Sequence, residues 1–437
     1  MKRFKRVLSI IMAVVLVFSL MTACAKKEKE ASKGDPVATT EPKKEPTKEP
    51  ITLTTVSMYG GADAKAPTYQ EINKKFMDDN PHVTIEDDSQ MSDQDWKTRV
   101  AADFAVGNEP DVILYFTDAN ASDVLAADKF VTLDEIKAVY PEYAADTLES
   151  ALAAVTNPDG VRRAVPTVGY WEGLFVNKDL FEQYSLELPT DWDKLVTAID
   201  TFKANDIIPI AVSLNTVPHY WIEHLMLSAA GLEGYETVPQ AAPADWIAGL
   251  NMFKTLRDMG AFPVDTDTID NELAGELFKS KKAAMQLDGA WFAGNIPDQD
   301  NTIVMAFPNI PGAKAAEKAM VGGMSSGFYI TKKAWDDPAK RDAAVKFVMA
   351  HTSKESITKY WNGNGQPSVA VDPLDNMTPL ALSGIELSNN ATSISAPTDA
   401  RISQEAYNTF AAGIVEISTG AKTPETLINE ILAINSK

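Results

Sequence analysis

A chain of 437 residues with 45% hydrophobic content holds enough apolar material for a large core or two domains. Its formal charge of −21 at pH 7 argues against a nucleic-acid partner and against a polybasic grip on anionic lipid, and says little about a small neutral ligand. One cysteine, Cys24, leaves nothing for it to pair with in an internal disulfide.

The chain opens with four basic residues, Lys2, Arg3, Lys5 and Arg6, and continues with an uncharged apolar run from Val7 to Met21. Thr22 and Ala23 then precede Cys24. A basic start, a short apolar stretch and a small-residue cleavage site describe a secretory signal over residues 1–23. The run is too short for a transmembrane helix. Leu20-Met21-Thr22-Ala23-Cys24 resembles the lipobox of bacterial lipoproteins, with Met21 where that pattern usually has Leu. The resemblance implies that Cys24 is the lipidated first residue of the mature chain; the alternative is an ordinary signal peptide with an incidental cysteine. Residues 24–50, rich in Lys, Glu, Pro and Thr, cannot bury enough apolar surface to offset their ordering entropy and read as a disordered, solvated tether. Removing the signal peptide leaves a charge of about −25.

Strand-like and helix-like stretches alternate from Ile51 onward. "ITLTTVSMY" is β-branched and extended. "TYQEINKKFMDDN" sets Tyr69, Ile72 and Phe76 on one helical face and ends before Pro81. "HVTIEDD" reads as a strand, and "DWKTRVAADFAVGN" as a helix stopping at Gly107. "PDVILYF" is a continuous apolar run, as in a strand covered on both faces. "LPTDWDKLVTAIDTFKAN" predicts a helix opened by Pro189 and Thr190, with Asp193 completing a weak capping box and Leu195, Ile199 and Phe202 as its buried stripe. "DIIPIAVS" follows as a strand. This alternation implies an α/β protein with helices on both faces of a parallel or mixed sheet, in two lobes, binding ligand at the carboxyl ends of its strands.

Several catalytic patterns fail on context. "GMSSG", Gly323 to Gly327, matches the G-x-S-x-G nucleophile elbow, but the β-like "FYIT" follows where a helix is required. "HYWIEH" spaces His219 and His224 five apart, about 140° around a helix, so the two do not share a face for metal. "DTDTID" begins like a calcium loop, yet Ile269 stands at a ligand position and Asp270 replaces the turn glycine. No phosphate-binding glycine loop occurs. The aromatics carry more. Tyr170 with Trp171, Tyr220 with Trp221, and Trp291 put large rings beside Gly or polar residues. Each ring could serve the core; together they suggest an apolar-walled cleft with polar edges. A flat ring packs on the C–H face of a sugar while Asp, Gln and Arg bond its hydroxyls, which requires no nucleophile, cofactor or metal.

From Ile51 to the C-terminus the order of segments resembles the family 1 extracellular solute-binding proteins of bacterial ABC importers, which include sugar-binding proteins. The resemblance rests on "EPDVILYFTD" with "FVTLDEI", on "AVPTVGYWEGLFVNKDLFEQYSLELPTDWDKL", on "FKSKKAAMQLDGAW" with Lys281 in place of a usual glycine, on "GGMSSGFYITKKAWDDPAKRDAAVKFVMAHTS", and on "TGAKTPETLINEI". It implies a two-lobed periplasmic-binding-protein-like fold of type II, with the ligand cleft between lobes joined by three crossings near Pro166–Gly169, Gly323–Gly327 and Ser395–Arg401. The first lobe would take 51–168 and 326–395, the second 169–325 and 396–437. Hinge bending would close the lobes on ligand. Carried over by position, the ligand-binding candidates are Tyr59, Gln90, Tyr115, Asp118, Tyr170, Trp171, Trp221, Asp288, Trp291 and Arg401, with Trp291, Trp221 and Asp118 foremost. Trp192 and Trp335, at helix starts, read as packing residues.

The resemblance implies a monomeric, lipid-anchored receptor on the outer face of a Gram-positive membrane, delivering carbohydrate to a permease without cofactor or catalysis. The same fold could instead bind a peptide, polyamine or iron complex, though few histidines argue against iron. It could also signal through a membrane sensor. A secreted polysaccharide hydrolase remains a third class, and would need two carboxyls about 5 to 9.5 Å apart across the cleft.

Overall fold

The computed structural model describes residues 49–216, 218–372 and 374–436. The signal peptide, Cys24 and nearly all of the tether lie outside the described residues. The strands, in chain order, are β1 (Ile51–Ser57), β2 (Val83–Asp87), β3 (Val112–Phe116), β4 (Val165–Pro166), β5 (Val168–Asn177), β6 (Ile208–Ala211), β7 (Ala283–Gly289), β8 (Thr302–Met305), β9 (Ala319–Gly323), β10 (Ser326–Ile330), β11 (Gln366–Pro367) and β12 (Ser393–Ser395).

The first sheet runs β2-β1-β3-β10-β4, with β1 parallel to β2 and β3, and β10 antiparallel to β3 and β4. The helices that cover it form where their spacing predicts. Helix Ala66–Asp79 buries Tyr69, Ile72 and Phe76, and the Phe76 ring meets Phe347 of helix Pro338–His351 edge-on at 5.6 Å. Helix Gln94–Val106 starts on the Asp93 carboxylate, which accepts from the Trp96 backbone N–H at 2.8 Å, and stops at left-handed Gly107. It buries Trp96, Val100 and Phe104. β3 is covered on both faces, which explains its unbroken apolar sequence.

The second sheet is built on β5. β7, β8, β9 and β11 all pair antiparallel along its length, β6 runs parallel to β7, and β12 runs parallel to β9. Side chains alternate along β5. Leu174 and Val176 join a core with Leu195, Ile199 and Phe202. Trp171 and Phe175 join a separate cluster on the opposite face with Phe278, Leu380 and Leu387. Helix Trp192–Ala204 is capped by Asp191, which accepts from the Lys194 N–H at 3.0 Å, and not by the expected Thr190. A carboxylate one residue later fits the same role and adds a favourable dipole term.

The chain passes from the first sheet to the second between β4 and β5 and returns between β9 and β10. "GMSSG" is therefore a strand–turn–strand passage, and the helix that a serine elbow needs is absent from it. The third crossing departs from expectation. Val369 still packs in the first core, whereas helix Pro379–Asn389 and β12 belong to the second sheet. The chain thus crosses between 369 and 379, not near 395. Apolar burial decides it: Leu380 and Leu387 complete the cluster around Trp171. The crossings touch: Gly169 pairs with Gln366, and Tyr170 with Gly323. At Gly365 φ is 92°, and a Cβ there would lie 2.1 Å from the Gly169 carbonyl oxygen, so only glycine fits.

Candidate ligand cleft

Strand ends from both sheets converge where the chain crosses. The second lobe supplies an aromatic group. The Trp291 ring, just beyond β7, lies 5.6 Å from Tyr170 and 6.0 Å from Tyr220, and stays partly exposed. Asp288 holds it: one carboxylate oxygen accepts from the Trp291 indole N–H at 2.9 Å and from the Gly289 N–H at 2.7 Å, and the other accepts from Gln286 at 2.9 Å. With its indole N–H held by Asp288, the ring has a fixed pose. Burial nonetheless pushes the Asp288 carboxyl up to about 6.

The first lobe supplies charge. Asp118 follows β3 and caps the short turn Ala119–Ala121. The Asn120 amide donates to Asp118 at 3.0 Å and across to Asp399 of the second lobe at 3.3 Å. Lys97 donates to Asn120 at 2.8 Å and stands 4.0 Å from Asp399. Burial, and then the Asp399 charge, pushes Asp118 up to about 7. The Tyr59 hydroxyl meets Thr167, at the first crossing, at 2.8 Å. The contacts of Asn120 and Lys97 with Asp399 span the lobes.

Beneath the aromatic group lie two buried carboxyls, Glu172 on β5 and Glu223 on helix His219–Glu236. Burial first, and then neighbouring negative charge, raises both well above the usual carboxylate range. The two carboxyls hydrogen-bond to each other, as a protonated acid to its neighbour, and Glu223 also accepts from the Thr398 backbone. His224, 3.8 Å from Glu172, is held by the Tyr220 carbonyl at 2.8 Å, and burial pushes it down to about 4.

Tyr170, Asp288, Trp291 and Asp118 thus lie near one another where the two sheets meet. Three other candidates lie elsewhere. Trp171 is fully buried on the far face of β5, because successive residues of a strand point oppositely; Glu172 takes the cleft face with Tyr170. Trp221 is fully buried between Phe262 and Phe307 at 5.5 and 5.4 Å, about 100° around the helix from Tyr220, which reaches the cleft in its place. Arg401 spends its guanidinium on the Tyr235 carbonyl at 2.9 Å, the Ala396 carbonyl at 2.7 Å and the Ser395 hydroxyl, and lies over the Tyr235 ring. It fastens its own segment. Tyr115 packs on Trp96 at 5.2 Å in the first core, and Tyr59 is buried with its hydroxyl on Thr167. Gln90 is exposed and bonds Asp88 at 3.2 Å. Trp335 packs under Arg341 at 4.8 Å, and Trp192 against the second core.

Sequence reasoning missed Lys97, Asn120, Glu172, Glu223 and Asp399, and named Tyr220 as a cleft ring without placing it among the ligand contacts. "GYWEG" and "HYWIEH" contained the signal for two of the missed residues, since strand and helix periods put Glu172 and Glu223 on the faces of Tyr170 and Tyr220. Among the described residues no group of three His, Cys, Asp or Glu could hold a metal ion, and none of the helices is long and apolar enough to cross a membrane.

Residues 61–357 match the family described as bacterial extracellular solute-binding protein. The chain belongs to that family. Over 401 residues it is 24% identical to the multiple sugar-binding protein of Streptococcus mutans, covering 87% of this chain and 88% of the relative. Solved structures share the fold. A chitin oligosaccharide binding protein superposes with a TM-score of 0.78 at 22% identity, over 89% of this chain and 98% of that one. A maltose-bound binding protein of T. maritima gives 0.72 at 19% identity, over 88% and 99%. This solute-binding protein therefore has the mixed α/β architecture with two sheets seen in those neighbours.

Proposed function

We propose that this solute-binding protein captures a carbohydrate between its lobes and delivers it to the transmembrane subunits of an ABC importer. The observation that carries this reading is the Trp291 ring, posed by Asp288 beside Tyr170 and Tyr220. Such a platform fits the C–H face of a sugar, while the polar groups of Asp118 and Asn120 opposite it suit hydroxyls. The relatives named above for sugar, chitin oligosaccharide and maltose support the same ligand class. Hinge bending at the glycine-lined crossings closes the lobes on ligand. Lipid on Cys24 and the Lys/Glu/Pro tether hold the body, as a monomer, outside a Gram-positive membrane and near its permease.

Binding without hydrolysis is the reading that the family and its sugar-binding relative support. Asp288 has its oxygens committed to the Trp291 ring, Gln286 and Gly289, which leaves it unsuited to act as acid or nucleophile. A thermal-shift screen of the purified chain against mono- and oligosaccharides, peptides and polyamines tests the reading. A ligand that binds only the folded state raises the midpoint by mass action. A shift with one sugar series and no new reducing ends supports it; a shift with peptides alone, or release of reducing ends, contradicts it.

A further inference from the structure

We propose that Lys97, Asn120 and Asp399 form a clasp that holds the lobes closed through contacts of the protein's own, and so gates access to the cleft. The proposal goes beyond the carbohydrate reading, because the clasp needs no ligand. Three observations carry it. First, the clasp joins two like charges. The single side-chain nitrogen of Asn120 donates both to Asp118 of its own lobe, at 3.0 Å, and to Asp399 of the other, at 3.3 Å. Two carboxylates that share one nitrogen repel each other. Lys97 supplies the cation between them: it donates to the Asn120 side-chain oxygen at 2.8 Å and stands 4.0 Å from Asp399. Its side chain is 14% exposed and that of Asp399 17%, so salt screens the pair far less than it screens a surface ion pair.

Second, each half of the clasp is fixed within its own lobe. The Asn120 backbone N–H also donates to the Asp118 carboxylate, at 2.9 Å. The Lys97 ammonium lies 4.6 Å from the centre of the Phe116 ring, at the end of β3. In the second lobe the Thr398 and Tyr235 hydroxyls are hydrogen-bonded at 3.1 Å. Arg401 fastens the turn Thr398–Ala400 by donating to the Tyr235 carbonyl at 2.9 Å and the Ala396 carbonyl at 2.7 Å. Groups already ordered lose little entropy on meeting.

Third, another contact closes the opposite flank. Asp399 follows β12 and Gly294 follows β7, and these strands lie on either side of β5 in the second sheet. Gly294 meets the loop after β1: a Cβ there would lie 2.7 Å from that of Ala64. The neighbouring Asn295 amide donates to the Ala62 carbonyl at 3.5 Å. The two contacts straddle β5, which carries Tyr170, so the lobes shut on both sides of the aromatic group.

The test is small-angle X-ray scattering of the purified full chain and its variants, with no sugar added. Gly294→Val wedges the lobes apart by bulk and gives the scattering of an opened chain. Lys97→Glu sets three carboxylates together across the lobes. The swap of Lys97→Glu with Asp399→Lys puts one cation back among them. The expected result is a wild type with a smaller radius of gyration than Gly294→Val, an increase in Lys97→Glu to the Gly294→Val value, and a return to the wild-type value in the swap. Thermal unfolding reports whether each variant has folded, and the swap separates lost charge pairing from damage to the fold. A wild type no more compact than Gly294→Val, a Lys97→Glu chain as compact as the wild type, or a swap that stays expanded overturns the proposal. Each of these leaves the carbohydrate reading standing, because that reading is decided by ligand titration.

Discussion

The two lobes meet the cleft with different chemistry, and the difference follows from how each buries its sheet. The first lobe gathers a single hydrophobic cluster and brings Lys97, from the first turn of helix Gln94–Val106, to Asp118 and Asn120 just beyond β3. The second packs separate clusters on opposite faces of β5, so that one strand feeds Trp171 to one side and Tyr170 and Glu172 to the other. A polar edge thus faces an aromatic and acidic floor. On the proposed reading the floor holds the ligand, and the Asn120–Asp399 bond joins the two lobes.

The sharpest way to break this contrast is inside the second lobe. Trp221→Ala would empty a site between Phe262 and Phe307, and should cost about 3–5 kcal/mol in denaturant unfolding. A loss under 1 kcal/mol would mean that Trp221 is not the core residue described here. Next in size is Gly365→Ala, which forces a side chain into left-handed backbone against the Gly169 carbonyl. It should destabilise by about 1–3 kcal/mol and slow ligand-driven closure, measured by stopped-flow fluorescence. An unchanged closing rate would exclude this contact from the hinge.

A smaller effect separates the lobes by pH. Burial raises Asp118 to about 7 and Asp288 to about 6, so the folded protein keeps protons that the unfolded chain releases. Stability from such groups is present at low pH and is lost as pH rises through the folded values. His219, His224 and His351, pushed down to about 4, 4 and 3, act oppositely, but only below their ordinary value of 6.5. Between pH 6.5 and 8 Asp118 and Glu172, the latter raised to about 8, titrate without opposition from these histidines, and the thermal midpoint should fall. Asp118→Asn should flatten that fall in part; an unaltered slope would show that Asp118 is ionised throughout.

Much of the fold was legible because periodicity is local. Tyr69, Ile72 and Phe76, or Leu195, Ile199 and Phe202, announce their helices and are buried as read. The third crossing was not legible, because Leu380 and Leu387 fit either lobe by pattern and only packing around Trp171 chooses. At the cleft, Trp291 and Tyr170 were found as large rings beside glycine or polar residues. Trp171 and Trp221 carried the same signal, yet strand and helix phase turned them inward. Asp399 and Asn120 were invisible in sequence, since their meaning comes from a contact across 279 positions.

The proposed binding site stands or falls with Trp291. Calorimetric titration of the wild-type chain and of Trp291→Ala, with a saccharide identified by the thermal screen, would test it. The expected result is saturable one-site binding by the wild type and a loss of about 2 kcal/mol, roughly thirtyfold, in the variant, with its folded core intact. Equal affinity in the two proteins would contradict the central claim, because the ligand would then be held somewhere other than on the ring that Asp288 fixes.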